Sequence, residues 1–371
     1  MCFLHRGIKV FVCFAFASFL LVGLARSGFA GEWEKVVEAA KKEGKVVVSV
    51  PASAKLRKQM EKVFEERFSG VDLELVPGRS MKKIRRIAEE FKSGVRYFDV
   101  QMGGSPPIII GLVWKKLVDP LGPYMVLSEV KDPKNWWAGH AYADKGKRFA
   151  YNFVAFMTKN LWYNTNLVKP DEIGSLEDLL NPKWKGKIGF YDPRKPGAGA
   201  SMWSHLWDVK GEDYLKKLVQ QEVQFTRNRR VLGESLSKGK LAITVGVTYY
   251  SLIKFIKAGL PIKPMPTFKG ATYPAGGAGS MAIIKDPPHP NATKVFVNWF
   301  LGKEGQEVFG NAMGQPTRRL DVDTTWIHKF GYVPAKDGIS VEKYEAYMDR
   351  LEEKIKTVRR PATKFARKVL K

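Results

Sequence analysis

The sequence predicts an α/β fold, because short amphipathic helices alternate with short apolar strands. Residues 31–50 read GEWEKVVEAAKKEGKVVVSV, which is a helix with one apolar face, a glycine that ends it, and a strand. The strand at residues 46–50 is apolar on both faces, as expected of a strand that helices cover from both sides.

Two more strand–helix units complete the first hundred residues. Helical periodicity begins at Leu56 and again at Ile84, and these helices precede strands at residues 71–76 and 98–102. Because parallel strands need crossover helices, the three units predict a doubly wound parallel sheet.

A second series of strands and helices begins near residue 187. We predict strands at residues 187–191, 223–226 and 241–247, separated by helices at 202–207, 214–221 and 231–237. A helix at 249–258, an extended return path over 264–284 and a helix at 292–301 follow. The chain therefore leaves the first sheet, builds a second sheet and comes back.

The length of 371 residues suits two lobes and a leader. We predict an N-terminal lobe made of residues 31–153 plus 266–330 and a C-terminal lobe made of residues 154–265. Residues 331–371 are predicted to form a basic helical tail that closes over one lobe.

Residues 1–30 are predicted to be a cleaved signal peptide. His5, Arg6 and Lys9 precede an apolar run over residues 10–24, and small residues follow at Gly28 and Ala30. The two cysteines of the chain, at positions 2 and 13, lie inside this segment. We therefore expect export to the periplasm, with no disulfide and no cysteine-bound metal in the mature protein.

The formal net charge of +25 favours anionic partners. The basic residues are scattered among acids along the helices, which together with the export signal argues against a nucleic-acid partner. The sequence contains no G-x-S-x-G, P-loop or H-E-x-x-H motif, and its histidines lack metal-ligand spacing. A periplasmic hydrolase with dispersed catalytic residues stays open as an alternative.

Several segments resemble those of bacterial solute-binding proteins: WEKVVEAAKKEGKVVVSV, FDVQMGG, FMTKNLWYNTNLV, SLEDLLNPKWKGKIGFYDPR, GESLSKGKLAITVG and VNWFLGKEGQEVFGNAMGQPTRR. More narrowly, they resemble the extracellular solute-binding family that includes the ferric-iron-binding components of ABC importers. The resemblance extends in order to about Arg319.

This resemblance implies two doubly wound α/β lobes joined by crossing hinge strands, the periplasmic binding protein-like II fold. It implies a non-enzymatic protein without a cofactor, which captures a small solute in the cleft between the lobes. Such a protein delivers its solute to an ABC permease, and we expect it to act as a monomer that meets the membrane only through that permease.

The candidate ligand residues lie where strands of the two lobes end, since open α/β sheets bind ligands at the carboxyl ends of their strands. They are Ser53, Gly104, Ser105, Asp192, Arg194, Ser201, Arg227, Thr248, Tyr249, Tyr250 and Tyr273. Several of them have a structural alternative. Ser53 is suited to cap a helix, the glycine to form a turn, and Arg227 to lie on a solvated edge.

Two ligand classes follow from these residues. In the ferric branch of the family, adjacent tyrosines at the place of Tyr249 and Tyr250 supply phenolate oxygens to the metal, and hard oxygen donors suit a hard cation. The third tyrosine of that pattern would be Tyr191 or Tyr273, and the turn at residues 50–55 lacks a histidine or glutamate. An anion fits the arginines better, because their planar side chains bind carboxylate or phosphate through two hydrogen bonds.

Overall fold

The computed structural model describes residues 31–370, and the predicted signal peptide lies outside this range. The strands, in chain order, are β1 (Lys45–Pro51), β2 (Asp72–Gly78), β3 (Val100–Gly103), β4 (Val118–Asp119), β5 (Tyr151–Asn152), β6 (Phe156–Thr158), β7 (Leu161–Asn164), β8 (Ile188–Tyr191), β9 (Gln224–Thr226), β10 (Ile243–Val245), β11 (Ile262–Pro264), β12 (Tyr273–Ala275), β13 (Ser280–Ile284) and β14 (Val333–Pro334).

The helices are α1 (residues 31–43), α2 (Ala54–Arg67), α3 (Ser80–Lys92), α4 (Ser105–Gly111), α5 (Ser128–Lys131), α6 (Ala198–Gln220), α7 (Arg229–Ser237), α8 (Tyr249–Lys257), α9 (Pro290–Leu301), α10 (Lys303–Met313), α11 (Ala335–Gly338), α12 (Val341–Asp349), α13 (Leu351–Lys354) and α14 (Arg360–Val369). Short 3₁₀ turns connect several of them, and a π-helical turn at Ile355–Arg359 joins α13 to α14.

The first lobe is built on a six-stranded sheet in the order β2-β1-β3-β13-β4, with β5 also paired to β13. β1 is parallel to β2 and β3, as the sequence predicts. β13 returns from the second lobe and is antiparallel to β3, so the sheet is mixed and not purely parallel. Val46 and Val48 of β1 face one apolar cluster and Val47 faces another, which confirms that helices cover both faces.

The second lobe is built on a five-stranded sheet in the order β11-β7-β10-β8-β9. β10, β8 and β9 are parallel, so their carboxyl ends meet at one edge. The two helices predicted at 202–207 and 214–221 are both present, since α6 is a pair of helices that meet at Gly211, whose backbone is not helical (φ 77°, ψ −176°). Glycine tolerates this left-handed conformation, so the chain turns there without leaving the helix pair.

A three-stranded sheet lies between the lobes, in the order β12-β6-β14. The chain passes from the first lobe to the second through β6 and returns through β12, and the two strands pair antiparallel. β14 then adds to the other edge of β6. The expected crossing hinge strands are therefore confirmed, and a third strand reinforces them.

Residues 341–370 form what we call the strap, comprising α12, α13, the π-helical turn and α14. At its start, Asn152 of the first lobe donates to the Tyr344 hydroxyl at 3.0 Å. Near its end, the Trp203 indole of the second lobe donates to the Ala362 carbonyl at 2.9 Å, and Phe365 packs in the second-lobe core. The tail therefore contacts both lobes, which differs from the expectation that it closes over one.

No helix within residues 31–370 combines the length and the apolar character that a membrane-spanning helix needs.

Candidate functional site: the cleft between the lobes

A cleft of about 1760 Å³ lies between the two lobes and is bordered by the hinge sheet and the strap. The residues that precede five helices line it, because each helix follows a loop at a strand's carboxyl end. These residues are Arg79, Gly104, Gly197, Asn228 and Thr248. Helix N-termini carry partial positive charge, so together they favour a negatively charged occupant.

Basic side chains dominate the lining of this cleft. The first lobe contributes Arg79, Lys82 and Arg85. The second lobe contributes Lys195, Arg227, Arg229 and Arg230. The strap contributes Lys354, Arg359 and Arg367. Among the described lining residues the one acidic side chain is Asp208, and Lys354 neutralises it at 2.5 Å. The cleft is therefore strongly cationic.

Arg227 and Arg229 both follow β9 in the chain, but they make different contacts. The Arg227 guanidinium donates to the carbonyls of Asp192 at 3.1 Å and Lys195 at 3.2 Å, so it holds the loop between β8 and α6. The Arg229 guanidinium lies 4.7 Å from the ring centroid of Tyr191 and 5.9 Å from that of Tyr250. Among residues 31–370 it has no hydrogen-bond or carboxylate partner, so Arg229 is better placed than Arg227 to meet a ligand.

Asp192 and Arg194, predicted to contact ligand, pair with each other and do not line the cleft. The Arg194 guanidinium donates to the Asp192 carboxylate at 2.8 Å and to the Leu370 carbonyl, at the end of the strap, at 2.6 Å. Burial opposes ionisation of Asp192, but the hydrogen bonds from Arg194 outweigh it and lower the pKa of the carboxyl group. This pair anchors the strap, which corrects its predicted role.

Three of the predicted serine and glycine positions border the cleft. Gly104 and Ser105 line it, and the Ser105 hydroxyl lies 2.6 Å from the Ser280 hydroxyl. Ser201 lines it from α6. Ser53 does not; its hydroxyl accepts from the Leu56 N–H at 3.2 Å, so it acts as the helix cap of α2.

The structure separates the tyrosine pair. Tyr250 is 38% exposed and lines the cleft, whereas Tyr249 is 2% exposed and stacks on Phe330 with 4.8 Å between ring centroids. Burial raises the pKa of the Tyr249 phenol, which opposes the phenolate form that binds iron. The expectation that both tyrosines reach the ligand is corrected, since neighbouring residues at a helix start face different directions.

Thr248 and Tyr273 both line the cleft. The Thr248 hydroxyl lies 3.1 Å from the Ser251 hydroxyl. The Tyr273 hydroxyl accepts from Asn160 at 2.9 Å, and its ring stacks on His205 with 4.6 Å between centroids. Burial raises the pKa of the Tyr273 phenol to about 12, so it presents a neutral hydroxyl at the hinge.

A metal site finds little support in this arrangement. Residues 31–370 contain no group of three or more histidine, cysteine or acidic side chains that would hold a metal ion. Of the predicted ferric pair, Tyr250 alone reaches the cleft. The lysine and arginine side chains that line the cleft repel a ferric ion unless an anion accompanies it.

Sequence reasoning missed the cleft residues on α3 and on the strap. Arg79, Lys82 and Arg85 follow the second strand. The tendency of open α/β sheets to bind ligands at the carboxyl ends of their strands could therefore have indicated them as cleft residues. For Arg359 and Tyr347, no local motif indicates that the tail returns to the cleft.

Two lobes on mixed sheets, joined by crossing strands around a cleft, define a protein with the periplasmic binding protein-like fold. A family profile described as bacterial extracellular solute-binding protein matches residues 40–312, and the chain belongs to that family. This confirms the resemblance found in the sequence.

Solved structures share this fold. The structure of iron-bound HitA from Pseudomonas aeruginosa matches with a TM-score of 0.64 and 19% identity over 88% of this chain and 99% of that one. AfuA from Actinobacillus pleuropneumoniae, with exogenous fructose-6-phosphate bound, matches with a TM-score of 0.57 and 20% identity over 84% and 97%. At such identities the likeness shows the fold alone.

An uncharacterized protein from Haemophilus influenzae is 31% identical over 137 residues. The match covers 36% of this chain and 38% of that relative, so it spans well under half of each protein.

Proposed function

We propose that this protein captures a small organic anion, bearing a phosphate or several carboxylates, in the cleft between its lobes. It works in the periplasm and delivers the anion to an ABC permease. The family membership supports the binding role and the predicted leader supports the compartment. An anion is proposed because of the cleft lining. Among the described residues, ten lysine and arginine side chains line the cleft, and the one acidic side chain there is neutralised by a lysine.

Arg229 is the residue of the second lobe best suited to bind the anionic group. It is the first residue of α7, and it lines the cleft together with Asn228, so its charge lies at the positive end of the helix dipole. The Tyr191 and Tyr250 rings beside it restrict its motion, which lowers the entropy cost of binding. The rings also offer flat surfaces to the organic part of a ligand.

Ferric iron is the weaker candidate for this cleft. HitA carries iron and shares the fold, but here one tyrosine of the predicted pair packs in the core. AfuA holds a sugar phosphate in the same fold, and a phosphate ester suits the cationic lining.

The test is isothermal titration calorimetry of the purified protein with fructose 6-phosphate, citrate and inorganic phosphate. We expect at least one to bind with one-to-one stoichiometry, and binding to weaken as salt is raised. Arg229→Ala should weaken it about tenfold to a hundredfold, the value of a lost charge-assisted hydrogen bond. Lys240→Ala removes the same charge from an exposed position outside the cleft and should change affinity less than twofold.

If none of the three anions binds, or if ferric iron alone binds and gives a visible absorption band, the proposal is wrong.

A further inference from the structure

The strap brings three basic side chains to the cleft, and they differ in what they already bind. Lys354 pairs with Asp208 at 2.5 Å, and the Arg367 guanidinium donates to the Arg194 carbonyl at 3.4 Å. Neither Arg359 nor Arg367 has a carboxylate within salt-bridge distance among residues 31–370, but Arg367 is exposed whereas Arg359 is half-buried. Arg359 is therefore the strap cation in the cleft that lacks a counter-charge and is screened least by solvent.

We propose that Arg359 of the strap is a ligand-binding residue, which holds the anionic group of the solute together with the Ser201 hydroxyl. The proposal rests on the proposed function, because it assigns a further residue to the same cleft. It means that the C-terminal tail completes the binding site, although the tail lies outside the segment that matches the family.

The sequence explains the π-helical turn that ends at Arg359. Pro361 lies in the continuous helical run from α13 to α14, where it lacks the N–H that would bond to the Thr357 carbonyl and its ring crowds that oxygen. The helix widens into the π-helical turn Ile355–Arg359 just before the proline. Such π-helical turns are frequent at functional sites.

The surroundings of Arg359 suit an anion. One of its terminal nitrogens donates to the Ser201 hydroxyl at 3.3 Å. Burial raises the pKa of Tyr273 and of Tyr347, and the nearby charge of Arg359 opposes part of this rise. These three neighbours are uncharged, so the partly buried guanidinium lacks a counter-charge among the described residues, and a bound phosphate or carboxylate would supply it.

The strap holds Arg359 in place from both ends. On the first-lobe side, the Trp114 indole donates to the Glu352 carboxylate at 2.5 Å. On the second-lobe side, Phe365 packs against Trp207 with 5.2 Å between ring centroids, and Arg194 binds the Leu370 carbonyl. Because both anchors flank Arg359, ligand contact at this residue would tighten the strap against the two lobes.

The experiment compares Arg359→Ala, Arg359→Lys and the control Arg350→Ala by calorimetry with fructose 6-phosphate and citrate. Arg350 lies on the same strap, is exposed and does not line the cleft. The Arg350→Ala variant therefore removes one positive charge without removing a side chain from the cleft. We expect at least tenfold weaker binding for Arg359→Ala, partial recovery for Arg359→Lys and less than a twofold change for Arg350→Ala.

A second readout separates ligand contact from a structural role. Adding fructose 6-phosphate or citrate, whichever binds, should slow the amide hydrogen exchange of residues 355–370 in the wild-type protein. The same addition should not change the exchange of these residues in Arg359→Ala. If Arg359→Ala alone fails to fold, Arg359→Lys carries the same comparison.

Three results would overturn the inference. Wild-type affinity in Arg359→Ala, with affinity still lost in Arg229→Ala, would remove the strap from the site and leave the proposed function standing. Equal losses in Arg359→Ala and Arg350→Ala would assign the effect to overall charge. Absence of binding of fructose 6-phosphate, citrate and inorganic phosphate to the wild-type protein would reject the proposed function and this inference together.

Discussion

Replacing Tyr249 by phenylalanine should stabilise the protein and leave ligand binding unchanged. The Tyr249 hydroxyl is buried and has no hydrogen-bond partner among residues 31–370. A buried unpaired polar group costs about 1–3 kcal/mol, and phenylalanine removes it while keeping the ring stacked on Phe330. With an unfolding entropy of about 2.1 cal/mol/K per residue, this gain corresponds to a rise in melting temperature of about 1–4 °C.

The assay is thermal unfolding followed by calorimetry, with Tyr250→Phe as the matched control. Tyr250 is 38% exposed, so its hydroxyl can meet water and its removal should shift the melting temperature by under about 1 °C. A lower melting temperature for Tyr249→Phe, or loss of a bound ligand from it, would refute the reasoning. Loss of ligand from Tyr249→Phe would also mean that Tyr249 contributes to the binding site.

Two further predictions concern the second lobe. A Cβ at Gly199 would lie 1.7 Å from the Tyr191 carbonyl oxygen, so Gly199→Ala should lower the free energy of unfolding in urea by about 3 kcal/mol or more. A Cβ at Gly174 would meet nothing within 4 Å, so the control Gly174→Ala should lower it by under about 1 kcal/mol. Equal losses of stability would contradict the close packing of α6 on β8. The pKa of Asp192 is lowered, so its stabilising pairing with Arg194 is present above the ordinary pKa of 3.8 and is lost as the pH falls below it. The difference in melting temperature between wild type and Asp192→Asn should therefore shrink from pH 6 to pH 3, and a difference independent of pH would count against the pairing.

Most of the fold could be predicted because its signals are local. A strand such as β1 that is apolar on both faces, with glycines at the helix ends, indicates a covered sheet wherever it occurs. The antiparallel return of β13 carries no such signal, since its pairing with β3 joins residues 177 or more positions apart. The sequence therefore indicates a sheet, but it does not indicate that the sheet contains both parallel and antiparallel strands.

The site was predicted less well, because it depends on distant contacts. Asp192 and Arg194 lie in a strand-end loop, as ligand residues do, but Arg194 meets Leu370 from the far end of the chain. The pairing of Arg359 with Ser201 joins residues 158 positions apart. Tyr249 and Tyr250 are adjacent, yet the packing of Phe330 decides which one is buried. None of these contacts leaves a periodic pattern in the sequence.

The most direct test of the central claim is native mass spectrometry of the protein expressed from its full sequence and purified without denaturation, paired with a visible absorption scan. The account predicts a colourless protein that carries one small anionic mass, which Arg229→Ala loses. One iron atom per chain, with an absorption band from tyrosine-to-iron charge transfer, would contradict it.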